Sequence, residues 1–387
     1  EYEAKADGSD LGLLFQILNT PEERRQSTLP ESIANLPYVN GGLFAEKIDL
    51  PVFNKGMWSI LWECTKFDWS NVSPAVFGSM FQSVMDEKAR HDLGAHYTSE
   101  KNILKVINGL FFDDLQAEFI KARNSKGKIL EFWDKLEKLR FLDPACGCGN
   151  FLVVAYRELR KLELEIIKIL YTKDIEAGQF ALFDAASISR LNVDMMYGIE
   201  IEEFPARVAQ LALWLTDHQM NRELSGVIGR SYARLPLTHA PHIMNGNALR
   251  LDWESIVPKA ELSYVMGNPP FISKQDRDEN QRADMDFIFG KLKGAGELDY
   301  VTAWYKKAAE YIQGTEIGVA FVSAESPTDA IFKRMLSRET GIENRRFHQG
   351  TLKDSDFGKL VAGMGRFYDD QLYFLDVERR WPAIRGK

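Results

Sequence analysis

From residue 139 onward, short apolar runs alternate with longer stretches of helical periodicity. The runs at 139–143, 195–201, 262–266 and 317–323 are too short for helices and are separated by helical stretches, so they predict strands. The stretches 151–170, 205–217 and 299–313 repeat their apolar positions at helical spacing. Within the second, Val208, Leu211, Leu213, Trp214 and Leu215 are the predicted core face. Strands alternating with helices predict an α/β fold with a parallel, doubly wound sheet. Residues 1–92 read as mostly helical, broken around 37–42, with Trp58, Trp62 and Trp69 among apolar positions. Aromatic side chains more often fill cores than sites, so this part is expected to be a helical lid or spacer packed on the sheet domain.

Two of the predicted strands end in residues with chemistry to offer, and ligands bind at strand ends in open α/β sheets. The run 262–266 leads into Gly267-Asn268-Pro269-Pro270-Phe271. Successive prolines fix φ at about −65° and remove two backbone donors, which leaves the loop carbonyls to face a ligand. Asn268 adds a side-chain acceptor for the same amine, and Phe271 adds a flat face for an aromatic ring. The site suits a planar group bearing an NH2. The run 139–143 leads into Asp143-Pro144-Ala145-Cys146-Gly147-Cys148-Gly149-Asn150-Phe151. Gly147 and Gly149 let backbone approach a cofactor closely, and the helix that follows presents N–H groups. Leu152 stands where a dinucleotide loop has its third glycine, and no Lys-Ser/Thr pair marks a phosphate loop. Asp143 favours a cationic or amino-bearing ligand over a pyrophosphate.

The segments DPACGCGNF, YGIEI and GNPPF, in this order and spacing, resemble the S-adenosylmethionine-dependent DNA amino-methyltransferases. Gly94-Ala95-His96-Tyr97-Thr98-Ser99 resembles the additional cofactor motif that precedes the glycine loop in gamma-type adenine methyltransferases. FGSMFQSVMD, LGAHYTSEKNILKVI and LRFLDPACGCGNFLVVAYRELR are similar to the methyltransferase region of MmeI-like (type IIL) fused restriction-modification enzymes, from about residue 11 to about residue 325. The resemblance implies a Rossmann-like fold, S-adenosylmethionine as cofactor, and methyl transfer to the N6 amino group of an adenine flipped out of double-stranded DNA. It further implies that Asp143, Pro144, Ala145, Gly147, Gly149, Asn150 and Phe151 hold the methionine end of the cofactor, with Tyr97 and Thr98. Glu200, followed by Ile201, would accept from the ribose hydroxyls, and Asn247 with Ala248 would meet the cofactor's adenine. Asn268, Pro269, Pro270 and Phe271 would form the target-base site, with Asp299 and Tyr300 matching a motif close to it. Two other functions stay open: an N-methyltransferase acting on RNA or protein glutamine, and a non-catalytic remnant that binds the cofactor.

A net charge of −8 argues against unaided duplex binding, because phosphate contacts need Lys and Arg. The DNA would be gripped by a recognition domain missing from this chain, which starts without methionine and reads as part of something longer. The expected boundaries are 1–92 for the helical spacer, 93–325 for the methyltransferase domain and 326–387 for an atypical C-terminal segment. After 318–323 the resembling family adds two further strands. Here RMLSRETGIENRRFHQGTLKDSDFGKL and QLYFLD resemble a stretch of DnaB-type replicative helicases, without their phosphate-binding loop, as a junction of two genes would. The sheet edge is therefore expected to be incomplete unless 371–375 fills it. Three cysteines form no disulfide framework, and His239 and His242, either side of Pro241, do not make a metal site. No run has the roughly 18 apolar residues that cross a bilayer and no signal peptide is visible, so the expected compartment is the cytoplasm. The sequence gives no indication of oligomeric state.

Overall fold

The computed structural model describes residues 9–39, 43–44, 52–69, 72–73, 76, 98–176, 188–229, 237, 239–290, 298–322 and 372–375. Six strands make one sheet: β1 (Phe141–Asp143), β2 (Met196–Glu200), β3 (His242–Asn245), β4 (Tyr264–Gly267), β5 (Gly318–Val322) and β6 (Leu372–Leu375). Their order is β3-β2-β1-β4-β5-β6, and every neighbouring pair is parallel. The chain steps from β1 outward through β2 to β3, then returns to β4 on the other flank of β1. That reversal leaves a crevice at the carboxyl ends of β1 and β4, the switch point of a doubly wound sheet.

The nine helices used below are α1 (Ser9–Leu18), α2 (Lys55–Lys66), α3 (Glu100–Ile107), α4 (Asp113–Ala122), α5 (Lys126–Lys138), α6 (Asn150–Glu176), α7 (Glu203–Ile228), α8 (Glu279–Phe289) and α9 (Thr302–Tyr311). Alternate strand residues serve two cores, as the two-residue period of a strand requires. Phe141, Met196, Met266 and Ala320 pack under α3 to α7, whereas Leu142, Ile199, Val265, Val319 and Phe321 pack under α8 and α9. Both faces are covered, so the central strands read as continuous apolar runs.

Two expectations are corrected here. β3 is absent from the predicted strands because it is an edge strand: His242, Met244 and Asn245 are exposed, so no apolar run marks it. The face of α7 also differs, since Leu211 is 44% exposed while Ala206, Ala209, Ala212, Leu213, Asp217, Met220 and Asn221 are buried. Small residues let α7 lie close on α6, and its polar residues complete a buried network. Arg160 of α6 donates to Tyr156 Oη at 2.9 Å and to Asn221 Oδ1 at 2.8 Å, and pairs with Asp217. Glu163, one turn along, accepts from Trp133 Nε1 at 3.0 Å, Ser189 Oγ at 2.6 Å and the Arg190 backbone at 2.7 Å.

The described N-terminal residues are largely helical and touch the core through α7, where Gln219 Nε2 donates to the carbonyls of Trp69 at 3.2 Å and Val72 at 2.8 Å. Trp62 is 55% exposed and α2 buries none of its residues, so the tryptophans of this part do not act as one core-filling set. The sheet continues past β5 among the described residues. Leu372–Leu375, from the stretch considered as a filler, pairs with β5 in the register Val319↔Leu372. Apart from Leu372–Leu375, the segment 326–387 with its helicase-like stretch lies outside the described residues. No described helix is long and apolar enough to cross a membrane.

Candidate active site

Three loops at the carboxyl ends of β1, β2 and β3 are tied together at Glu200. Gly147 N donates to Glu200 Oε2 at 2.8 Å, and Glu202 N donates to Oε1 at 3.0 Å. The Glu200 carbonyl accepts from Gly246 N at 2.8 Å and Asn245 Nδ2 at 3.0 Å. Cys146 N donates to Ile199 O at 3.0 Å, which stitches the glycine loop to β2 along its length. Gly198 of YGIEI makes room for this: a Cβ there would stand 2.8 Å from Cys146 Sγ. Gly147 and Gly149 have φ of +54° and +82°, the left-handed region that side chains avoid. Asn150 opens α6, and its buried Oδ1 has no hydrogen-bond partner among the described residues.

Asp143 ends β1 with 1% exposure, its Oδ1 accepting from Ala145 N at 3.0 Å. Burial pushes its carboxyl up to about 8, against the Ala145 N–H and helped by the negative charge of Glu200. Glu200 is also raised by burial, opposed by the N–H groups of Glu202 and Gly147. The cradle is thus a pair of desolvated carboxyls without a cation paired to either among the described residues. Burial pushes the Cys148 thiol up to about 12 and holds the Cys146 thiol well above its ordinary range, so both are packing residues rather than nucleophiles.

The loop after β4 meets the loop after β1 directly. A Cβ at Gly267 would stand 2.4 Å from Asp143 Oδ1, so only glycine allows this approach. Asn268 Nδ2 donates to Thr98 Oγ1 at 2.8 Å, with the amide carbonyl oxygen at the opposite, acceptor end. Pro269 is buried, while Pro270 and Phe271 are half-buried beside it. α9 supports both loops: Trp304 Nε1 donates to Pro144 O at 3.1 Å, and Tyr300 N donates to Ile272 O at 3.0 Å.

Asp143, Ala145, Gly147, Glu200, Asn247 and Asn268 therefore all lie at one end of the sheet. Phe151 and Ala248 are core residues beneath that end, Ile201 is 55% exposed at its rim, and Tyr97 lies outside the described residues. Sequence reading missed Trp304, Asp284 and Lys307. Lys307 Nζ donates to the carbonyls of Ala248 at 2.8 Å, Leu249 at 3.0 Å and Leu251 at 2.5 Å, fixing the loop after β3, and burial lowers its amine to about 8. All three are helical positions far along the chain from the loops they hold, and nothing local distinguishes them. A hollow lined by Asp134, Lys138, Leu139 and Ser263 lies at the opposite, amino-terminal end of β1 and β4.

This strand order with these loops defines a Rossmann-like methyltransferase fold. Residues 119–343 match the family described as "MmeI, DNA-methyltransferase domain", and the chain belongs to that family. It is 38% identical over 327 residues to DNA methyltransferase A of Bacillus subtilis (strain 168), a match covering 83% of this chain and 36% of that protein. Among solved structures, the type IIL restriction-modification enzyme MmeI in complex with DNA superposes with a TM-score of 0.80 at 49% identity, over 84% of this chain and 44% of that one. The chain thus spans less than half the length of these relatives. A separate stretch of 61 residues, 16% of the chain, is 34% identical to the replicative DNA helicase DnaB of Treponema pallidum (strain Nichols).

Proposed function

We propose that this chain is the methyltransferase part of a restriction-modification enzyme, and that it methylates the N6 amino group of adenine in double-stranded DNA with S-adenosylmethionine. The observation that carries this reading is the contact between Gly267 and Asp143, which sets the Asn-Pro-Pro-Phe loop against the glycine loop. The cradle suits the cofactor by its donor set. Two carboxyls and the buried Oδ1 of Asn150 accept from amine and hydroxyl groups, and open space beside Gly147 admits backbone approach. Asp143, Ala145, Gly147 and Asn150, with Tyr97, would hold the amino-acid end, Glu200 the ribose, and Asn247 the adenine. When bound, the cofactor supplies an electrophilic methyl group on sulfur.

The protein's own part is placement. Thr98 aims Asn268, so that the Asn268 carbonyl and the backbone carbonyl of Pro269 accept both hydrogens of the target amine. Its lone pair then leaves conjugation with the ring, and acceptors lie ready for the positive charge developing on nitrogen. Phe271 stacks on the extruded base, returning on the order of 1–3 kcal/mol of the flipping cost. The Pro269 carbonyl is restrained from turning away, because its own ring fixes φ and the following Pro270 confines its ψ to the extended region. DNA is held by the remainder of a longer protein, in the cytoplasm with its substrate. We read the stretch from about 325 to 376 as the helicase-like side of a gene junction, outside this chemistry.

Incubation with genomic DNA and methyl-labelled cofactor, followed by nucleoside analysis, tests the reading; label on N6-methyladenine is expected, and label on cytosine alone would overturn it. Asn268→Ala is expected to lower transfer at least a thousandfold while leaving cofactor affinity within a few-fold.

A further inference from the structure

One buried carboxylate joins the two sides of the site. Asp284 of α8 is 3% exposed. Its Oδ1 accepts from Arg250 Nε at 2.6 Å, and its Oδ2 accepts from Asn247 Nδ2 at 2.8 Å and Tyr300 Oη at 2.7 Å. Asn247 and Arg250 belong to the loop after β3, and Tyr300 to the turn that opens α9. The backbone N–H of Tyr300 is in turn held by Ile272 O, just beyond the Asn268 loop.

This arrangement leaves Asn247 one orientation. Its Oδ1 accepts from Leu249 N at 2.9 Å, while its Nδ2 faces the Asp284 carboxylate. Turning the amide over would set oxygen against carboxylate oxygen and N–H against N–H, losing both bonds. One N–H of Nδ2 is used on Asp284. The other is a donor whose direction is set by the same plane.

We propose that Asp284 is a positioning residue of the cofactor site, fixing the Asn247 amide so that it presents an N–H donor to a ring nitrogen of a bound purine. The inference rests on the reading that Asn247 lies at the cofactor's adenine. It makes Asn247 a donor toward the ring, selective for the acceptor nitrogens rather than the exocyclic amine. It also assigns this selectivity to a side chain 37 residues away on another element.

The test is calorimetric binding of S-adenosylhomocysteine and of its 1-deaza, 3-deaza and 7-deaza analogues, each lacking one ring acceptor, to the full chain. The unaltered protein is expected to bind one of the three analogues about tenfold more weakly than the parent, the loss of one buried hydrogen bond. Asn247→Ala and Asp284→Ala are each expected to weaken the parent and to reduce that preference to less than about twofold. If Asn247→Ala loses the preference and a folded Asp284→Ala keeps it, Asp284 does not position the amide and the proposal falls while the placement of Asn247 stands. Undiminished preference in Asn247→Ala, or no preference in the unaltered protein, overturns both. Melting curves report folding. Should Asp284→Ala fail to fold, Tyr300→Phe, which loosens the same carboxylate, is expected to cut the preference partway, and an unchanged preference there equally refutes the role.

Discussion

At the residue scale, the site is built on a carboxyl kept where water cannot reach it. Asp143 holds its proton to about pH 8 in the free protein because burial disfavours the charge. An ammonium ligand binds the ionised form, so binding must release that proton. Between pH 6 and pH 7.5, affinity for S-adenosylmethionine is expected to rise by up to about tenfold per pH unit, with close to one proton released, measured calorimetrically in buffers of different ionisation enthalpy. The sign for stability is the reverse. A carboxyl raised above its unfolded value costs the folded state increasingly from about pH 4 to about pH 8, so free Asp143→Asn is expected to melt several degrees higher than the unaltered protein at pH 8 and equally at pH 4. The same substitution should abolish cofactor binding. The sequence alone gave Asp143 its place at a strand end and its preference for an amine. It could not give the depth of burial, which comes from the contact with Gly267 across the switch point.

At the scale of elements, strands buried on both faces were legible because their residues are almost all apolar, as in β1, β4 and β5, with Asp143 at the end of β1 the exception. β3 was not, because a four-residue edge strand with exposed His242, Met244 and Asn245 has no such signal, although it carries Asn247 into the site. On the α7 face Leu213 and Trp214 are buried as expected but Leu211 is not: large apolar side chains were counted, whereas the contact with α6 also uses alanines and the Arg160–Asp217–Asn221 network. Arg160 is fully buried and paired with Asp217 and Glu163. Replacing it by Met leaves two buried carboxylates without their cation, at a cost of about 3–5 kcal/mol. Denaturant unfolding of Arg160→Met is expected to show that loss. A change below about 1 kcal/mol would mean that the network contributes little to the α6–α7 contact.

At the scale of the molecule, charge and topology divide the labour. With a net charge of −8, the chain by itself is expected to hold duplex DNA no tighter than about 10⁻⁴ M at physiological salt, seen by fluorescence anisotropy, while still binding cofactor. Micromolar affinity in that assay would place a DNA grip within these residues. The groups assigned to cofactor and base hang from β1, β2, β3 and β4 or, for Tyr97 and Thr98, precede α3, and β5 and β6 supply none of them. A gene broken after codon 322 and rejoined to foreign sequence would therefore still encode the whole methyl-donor pocket. What such an accident endangers is the flank of the sheet, so a lineage could exchange that flank without having to reinvent its chemistry.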